Sequence, residues 1–416
     1  QITEFKYHPV RFLTKADDGT LCFSYHGEIY IMSTSGQPEK VSISLGFDGR
    51  HTLDTTVKVN SEFTETSLSP NGKEFAYVFR GEIFVSSIEH GTTKRITNTP
   101  YQERSVSFSP DGKTLLYAGE VDNSWNVYKT SIVREDEAYF FLSTLLKQEP
   151  IIATAEEEFQ PAFSPDGKEV AYLENRTTIK VINLESKNTR SILPANYNYS
   201  YSDGDMWYQW SPDSKWFLVT FGPKERMFWP EVGLIDASGT GTLRNLTQSG
   251  YEDYSPKWEM DGKMVIWGST REGNRSENGF TAEGDVFGMF FTQKAFDKFN
   301  LSKEDFELLK EKEEEEKKNA KEEDDDDSKK KKAKKSDEDE NALTPLIFDW
   351  DNLIDRKKKL TVHTSQASDY ILSKEGDKLY YLTSFEGKNN LWVTDLRSQE
   401  TKQFAKINGN NTSMEL

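Results

Sequence analysis

The stretch Ser105-Val106-Ser107-Phe108-Ser109-Pro110-Asp111-Gly112-Lys113 decides the fold of this chain. Val106 and Phe108 alternate with polar residues, which is the pattern of a half-buried strand. Pro110 presets φ at the first corner of a turn, and Gly112 can adopt the left-handed conformation. Apolar residues resume at Leu115. The stretch therefore predicts a strand, a tight turn and a returning strand.

The same pattern recurs along the chain. Regular copies are Ser69-Pro70-Asn71-Gly72-Lys73, Ser164-Pro165-Asp166-Gly167-Lys168 and Ser211-Pro212-Asp213-Ser214-Lys215. Less regular copies are Asp17-Asp18-Gly19-Thr20, Glu259-Met260-Asp261-Gly262-Lys263 and Ser373-Lys374-Glu375-Gly376-Asp377-Lys378. A third strand follows most turns, as in Gly27–Ile31 and Gly81–Val85, and a closing strand follows that, as in Thr93–Thr97. Four strands per unit at a period of roughly 40 to 50 residues predict an all-β chain, a β-propeller of four-stranded blades.

Seven turns favour seven blades, with six or eight as alternatives. We expect residues 1–292 to hold blades 1–6 and residues 343–416 to hold the last blade and its closure. Residues 293–342 then form a charged insertion, helical at first, with Ser302 as an N-cap. Lys318–Ala342 is almost wholly charged or polar and is predicted to be disordered. The strand Lys359–His363 is assigned to the seventh unit.

Both ends of the chain match parts of a unit. Gln1–Phe5 aligns with the closing strand around Arg95–Thr99, and Thr412–Leu416 resembles a first strand that stops before its turn. A fragment of a longer repeating chain gives this pattern. A single propeller that closes by pairing its terminal strands also gives it.

The net charge of −18 limits the classes of partner. Nucleic acids and anionic membranes need a positive face, so neither is expected as a partner. No run of about 18 apolar residues is present, so no membrane span is predicted. Cys22 lies in an apolar strand and is interpreted as a small buried hydrophobe.

The sequence contains no Gly-x-Ser-x-Gly elbow, no His-Glu-x-x-His, no P-loop and no dinucleotide fingerprint. The five histidines, His8, His26, His51, His90 and His363, have no metal-like spacing. We therefore assign no catalytic, cofactor-binding or metal-binding residue, and expect no cofactor. A catalytic triad assembled from distant residues stays open at this point.

Two aromatic loops are candidates for a binding surface. Asn196–Gln209 is rich in tyrosine, and Phe221–Glu231 mixes proline, charge and aromatic residues. Loops of this composition are common in binding surfaces. Packing between blades explains the same residues and is the favoured interpretation.

Several segments resemble the second propeller of bacterial tricorn-like proteases, across essentially the whole chain. They are Pro9–Leu13, Tyr77–Val85, Lys94–Pro100, Glu103–Lys113, Asn390–Arg397 and the charged insertion. The resemblance implies an upstream propeller, and a downstream PDZ domain and serine peptidase core of the C-terminal-processing type. It also implies degradation of oligopeptides, with the catalytic Ser and His in the downstream core.

The function predicted on this basis is a non-catalytic propeller that channels substrate or product, or acts as a scaffold, in a serine peptidase. Its partners would be oligopeptides, the downstream domains of the same protein, and a second copy if it forms a homo-oligomer. Alternatives are a free-standing binding propeller of the Tol-system kind and the propeller cap of a prolyl-oligopeptidase-like enzyme. The compartment stays open, with the periplasm favoured over the cytoplasm.

Overall fold

The computed structural model describes residues 3–44, 57–59, 62–198, 206–222, 229–274, 282–313, 315, 343–364, 366–385, 387–409 and 414. These residues form seven four-stranded antiparallel sheets, and the strands of each sheet are hydrogen-bonded in chain order. The prediction of an all-β chain of four-stranded blades is confirmed, and the number of sheets equals the favoured number of blades.

The first sheet lies in a compact unit of its own, Gln1–Asn60. Its strands are β1 (Arg11–Lys15), β2 (Leu21–Tyr25), β3 (Glu28–Met32) and β4 (Glu39–Lys40). Phe23 and Met32 are its buried side chains, and Phe5 stacks on Tyr25 with ring centroids 3.9 Å apart. Residues 3–10 form no strand, so the strand expected at Gln1–Phe5 is not seen in the part of it that is described.

The other six sheets lie in a second compact unit, Ser61–Leu416. The second and third sheets are β5 (Phe63–Leu68), β6 (Glu74–Phe79), β7 (Glu82–Ser87) and β8 (Thr93–Arg95), then β9 (Glu103–Phe108), β10 (Thr114–Val121), β11 (Ser124–Ile132) and β12 (Leu146–Ile152). The fourth and fifth are β13 (Glu158–Phe163), β14 (Glu169–Glu174), β15 (Thr178–Asn183) and β16 (Thr189–Leu193), then β17 (Tyr208–Trp210), β18 (Trp216–Phe221), β19 (Glu231–Asp236) and β20 (Arg244–Asn245). The sixth and seventh are β21 (Asp253–Glu259), β22 (Met264–Ser269), β23 (Asp285–Phe290) and β24 (Lys357–Lys359), then β25 (Asp369–Leu372), β26 (Lys378–Thr383), β27 (Asn389–Asp395) and β28 (Thr401–Gly409).

The repeated Ser-Pro-Asp-Gly turn is held by its own side chains. In the third sheet the Ser109 hydroxyl accepts a hydrogen bond from Thr114 N at 2.9 Å and donates one to the Asp111 carboxylate at 2.5 Å. Asp111 also accepts from Lys113 N at 3.0 Å, and Gly112 has a φ of 71°. The hairpin loop between the paired residues Ser109 and Thr114 therefore has four residues, and the third of them, Gly112, is left-handed. The same bonds recur around Ser69, Ser164 and Ser211, which explains why the sequence repeats there.

Neighbouring turns also touch one another. A Cβ on Gly112 would lie 3.7 Å from the Pro70 ring, and one on Gly167 would lie 4.0 Å from the Pro110 ring. Each proline therefore packs against the glycine of the next turn. The Ser-Pro-Asp-Gly pattern thus serves both the hairpin and the contact between adjacent sheets.

Apolar faces of adjacent sheets form the core. Val85 of the second sheet and Leu115 of the third belong to one buried cluster, together with Phe140. Phe140 comes from the 3₁₀ turn Phe140–Leu142 between β11 and β12, and next to it Phe141 N donates to Glu74 Oε1 of the second sheet at 3.1 Å. The connection between β11 and β12 therefore packs against the second sheet and joins it to the third.

The insertion begins with helical structure, as predicted, and this consists of two helices. Helix α1 (Gln293–Asn300) is capped by Thr292, whose hydroxyl accepts from Ala295 N at 3.2 Å. A second helix, α2, covers residues 303–313, and the Ser302 hydroxyl accepts from Asp305 N at 3.1 Å. The predicted N-cap at Ser302 is confirmed. Lys318–Ala342, predicted to be disordered, lies outside the described residues.

The boundary of the seventh unit is wrong in the prediction. The strand β24 (Lys357–Lys359) pairs with β23, with Lys359 opposite Phe287, so it is the fourth strand of the sixth sheet. The insertion therefore interrupts the sixth sheet between its third and fourth strands, and the seventh sheet begins at β25. Sequence reasoning missed this because three consecutive lysines carry no apolar alternation.

Candidate functional site

Two neighbouring turns depart from the Ser-Pro-Asp-Gly rule. In the sixth sheet Glu259 and Met260 replace the serine and the proline, and the seventh sheet has the longer turn Ser373–Lys378. Met260 and Asp261 have φ values of 54°, where the second position of a regular turn carries a proline. A left-handed non-glycine residue costs of order 1 kcal/mol and persists where surrounding contacts fix it. Departures from a repeat that also carry backbone strain are candidates for function.

The two irregular turns border a groove of about 390 Å³. Its walls come from the first strands β21 and β25 and from the turns that follow them, with contributions from the fifth sheet and from β26. The lining residues are Pro212, Trp258, Glu259, Met260, Asp261, Gly262, Ile371, Leu372, Ser373, Lys374 and Tyr380. Small-molecule sites have volumes of about 300–1,000 Å³ and combine apolar walls with a few polar groups. The groove fits the small end of that range.

Glu259 is the polar centre of the groove. Its carboxyl is partly buried, and Oε1 accepts a hydrogen bond from Leu372 N of the seventh sheet at 3.1 Å. Burial raises the pKa of Glu259 to about 7, while the Leu372 N–H and the charge of Lys257 act in the opposite direction. Removal from water disfavours the charged form of a carboxyl, and a group in this state gains from a cationic ligand.

Packing around Met260 fixes the shape of the groove. A Cβ on Gly376, in the turn of the seventh sheet, would lie 2.6 Å from the Met260 sulfur. A Cβ on Gly262 would lie 2.4 Å from Leu346, in the segment that follows the insertion. That segment is anchored where Leu346 N donates to Asp213 Oδ2 at 2.9 Å. Both glycines are therefore required by close approach as well as by their positive φ.

A second buried carboxyl, Glu103, has the same raised pKa of about 7 but lies in no groove. The Thr99 hydroxyl donates to Glu103 Oε1 at 2.6 Å, and the Thr97 hydroxyl lies 3.1 Å from Oε2. Thr97 also lies 2.7 Å from Glu82 Oε2, so the two carboxyls share one hydroxyl proton. Glu103 is 2% exposed. This carboxyl joins the second and third sheets and has no room for a ligand.

In the parts of the two aromatic loops that the structure describes, aromatic side chains pack against neighbouring sheets. The hydroxyl of Tyr208 donates to Ala171 O at 3.3 Å, and Trp207 Nε1 donates to Pro256 O at 2.6 Å. Tyr197 packs against the core cluster of the fourth and fifth sheets. The favoured interpretation holds for these residues, whereas residues 199–205 and 223–228 of the two loops lie outside the described part of the chain.

The remaining sequence candidates lie apart. His8 stacks on His26 with ring centroids 4.9 Å apart, in the first unit. Cys22 is only partly buried; its neighbour Phe23 takes the core position in β2. Among the residues that the structure describes, no group of three or more His, Cys, Asp or Glu side chains could hold a metal ion. In the same residues, no helix has the length and apolar character needed to cross a membrane.

Sequence reasoning did not select the groove. The signal was present, because the irregular turns at Glu259 and Ser373 follow one another in the order of units. In the sequence these turns count only as less regular copies of the repeat. The contact between Glu259 and the next sheet could not be predicted, since it depends on how β21 and β25 approach each other.

Three comparisons with known proteins bear on identity. The chain is 24% identical over 258 residues to the tricorn-like protease C-terminal subunit of Sulfurisphaera tokodaii, covering 62% of this chain and 27% of that protein. It is 22% identical over 258 residues to the tricorn protease homolog of Saccharolobus solfataricus, covering 62% and 22%. The crystal structure of the tricorn protease matches 97% of this chain and 36% of its own, with a TM-score of 0.50 and 14% identity. No family model matches the chain.

The chain spans about a quarter of the length of the curated relatives it matches. Its likeness to the solved structure concerns the fold. In sequence the chain is similar to tricorn-like proteases, and in fold it is a β-propeller like that of the tricorn protease, as the resemblance implied.

Proposed function

We propose that this chain is a non-catalytic β-propeller part of a tricorn-like serine peptidase that degrades oligopeptides, and that it holds peptides in the groove beside Glu259. The sequence similarity to tricorn-like proteases supports the peptidase context. The binding role is supported by the groove, which lies between two successive turns that lack the Ser-Pro-Asp-Gly sequence.

The groove has the chemistry of a peptide site. Trp258, Met260, Ile371 and Tyr380 offer apolar and aromatic surface, while Glu259 and other polar groups offer partners for a peptide's polar atoms. A peptide bound here would touch the first strands of two adjacent sheets. Binding on a scaffold of packed strands positions a ligand without chemistry in the scaffold itself.

Two measurements test the proposal on the purified chain of 416 residues. With internally quenched peptides we expect no turnover; turnover that a Ser or His substitution within the chain abolishes would overturn the non-catalytic role. Calorimetry with the tripeptide Leu-Ala-Ala should show one site per chain.

The groove is tested by filling it. Ile371→Trp should weaken tripeptide binding tenfold or more, because the indole occupies the cavity. The control Ile88→Trp adds the same side chain at a position that is 51% exposed and outside the groove, and should bind like the wild type. If Ile371→Trp lowers the melting temperature, Tyr380→Ala replaces it. Unchanged binding in both groove variants would show that the peptide lies elsewhere.

A further inference from the structure

Glu259 differs from the serines it replaces in the direction of its hydrogen bonds. The Ser109 and Ser164 hydroxyls are used within their own turns, since each bonds to a backbone N–H and a carboxylate of the same hairpin. The Glu259 carboxyl reaches instead to Leu372 N on the adjacent sheet. A carboxylate can accept about four hydrogen bonds, so this contact leaves acceptor capacity at the groove wall.

The lysine nearest to Glu259 in sequence is engaged elsewhere. Lys257, two residues earlier on β21, lies 2.5 Å from Asp369 Oδ1 with its Nζ and 5.6 Å from the centroid of the Tyr370 ring. The other charged residues of the groove are Asp261 and Lys374, which are exposed. Asp261 lies 3.9 Å from Lys263. The structure therefore places a carboxyl in a partly apolar groove while its neighbouring ammonium is held by another acid.

The surroundings of Glu259 specify more than a positive charge. Trp258 and Met260 flank it in the chain, and Ile371, Leu372 and Pro212 complete the apolar wall. A ligand that binds both the Glu259 carboxyl and the apolar residues around it must carry an ammonium group close to an apolar side chain. The volume of about 390 Å³ suits one or two residues of a peptide better than a long segment.

Building on the proposed function, we propose that the groove recognises the amino terminus of a peptide, with the α-ammonium on the Glu259 carboxylate and the first apolar side chain against Trp258, Met260 and Ile371. In the first residue of a peptide, the α-ammonium and the side chain are both attached to the Cα atom, so they lie close together. A lysine side chain instead carries its ammonium at the end of a flexible four-carbon stem. Aromatic faces on the wall, Trp258 and Tyr380, also attract an ammonium ion.

The test uses three peptides and calorimetry at pH 7.5 and fixed ionic strength. They are Leu-Ala-Ala, its N-acetylated form, and N-acetyl-Ala-Lys-Ala. We expect the free tripeptide to bind at least tenfold more tightly than either acetylated peptide. Glu259→Gln should remove that preference while leaving the affinity for N-acetyl-Leu-Ala-Ala unchanged, and Glu259→Asp should restore part of it.

The control is Glu375→Gln. It removes one negative charge from the neighbouring turn, where Glu375 is paired with Lys310 at 2.8 Å and does not line the groove. It should keep the preference for the free amino terminus. Equal melting temperatures of the two variants show that both are folded.

The outcomes separate this inference from the proposed function. Equal binding of the free and acetylated Leu peptides would overturn recognition of the amino terminus, while the groove would remain a peptide site. Binding of N-acetyl-Ala-Lys-Ala as tight as that of Leu-Ala-Ala, lost in Glu259→Gln, would show that a lysine side chain is the ligand and overturn the inference. Binding of none of the three peptides would overturn both.

Discussion

The turns of the second to fifth sheets differ from the turns of the last two sheets in the hydrogen bonds that they make. In the former, each turn closes its own hydrogen bonds, and the buried carboxyl of Glu103 is bonded to the hydroxyls of Thr97 and Thr99. In the latter, the turns are irregular, and Glu259 bonds across to the next sheet inside a groove. Both carboxyls have a pKa of about 7, and in both cases burial is the main cause.

The comparison shows that a raised pKa alone does not identify a functional site. Glu103 has its raised pKa where no ligand can enter, and its role is to join two sheets. Glu259 has the same pKa beside an open volume with apolar walls. Access and unfilled acceptor capacity separate the two, and each of the following predictions tests that separation.

The largest expected effect is that of Glu103 on the pH dependence of stability. The pKa of Glu103 rises from 4.5 to about 7 on folding, so the folded state holds the extra proton between these values. The contribution of Glu103 to stability is therefore fully present below pH 4.5 and is lost as the pH rises towards 7. The loss is on the order of 3 kcal/mol, because each pKa unit is about 1.4 kcal/mol.

Urea unfolding of the wild type and of Glu103→Gln at pH 5, 6, 7 and 8 measures this loss. Because the glutamine stays neutral, the difference between the two proteins should change with pH by that amount. Glu259→Gln should show a pH dependence of the same sign, because burial raises the pKa of Glu259 as well. If the free energy of unfolding depends on pH in the same way in the wild type and in Glu103→Gln, Glu103 does not hold an extra proton in the folded state.

The second effect concerns the serines. Ser164 is fully buried, and its hydroxyl accepts from Glu169 N at 3.0 Å and donates to Asp166 at 2.6 Å. Ser164→Ala should lower the free energy of unfolding by about 2 kcal/mol, because the partly buried Glu169 N–H loses this acceptor and Asp166 loses a hydrogen-bond donor. Glu259→Ala, at the equivalent position of the sixth sheet, removes the acceptor of Leu372 N but also removes a carboxyl whose burial is unfavourable, so it should stay within about 1 kcal/mol of the wild type. Equal losses in chemical denaturation would show that Glu259 is as structural as the serine.

Sequence reasoning predicted the four-stranded sheets and their turns, but it missed the end of the sixth sheet and the groove. The repeat around Ser109 predicted the turns. The seventh unit was bounded wrongly because the insertion separates β24 from β23, and pairing across such a gap leaves no local pattern. The groove depends on the approach of Met260 to Gly376, which no spacing in the sequence encodes.

The third effect is on ligand affinity. If the α-ammonium of a peptide binds the carboxylate of Glu259, affinity for Leu-Ala-Ala should rise about tenfold from pH 5.5 to pH 7, as a carboxyl with a pKa of about 7 ionises. The ammonium stays charged over this range, since an α-amino group has a pKa of about 7.7–8.0. Calorimetry with Glu259→Gln should give a flat profile; a rise that persists in this variant would assign the titration to another group.

The smallest effect compares one substitution in two turns. Asp111→Gly removes the carboxylate that accepts from Ser109 Oγ and Lys113 N, so it should destabilise the protein by about 1 kcal/mol. Asp261→Gly relieves a left-handed residue with a φ of 54°, and the nearest cation to the lost carboxylate, Lys263, is an exposed partner at 3.9 Å. It should therefore be neutral or stabilising by up to about 1 kcal/mol. Opposite signs in urea midpoints would show that the regular turn depends on its side chains, whereas the irregular turn keeps its shape through the contacts of Met260 with the next sheet. Equal destabilisation would mean that Asp261 has a structural role like that of Asp111, and the irregular turn would then be a variant of the repeat with no separate purpose.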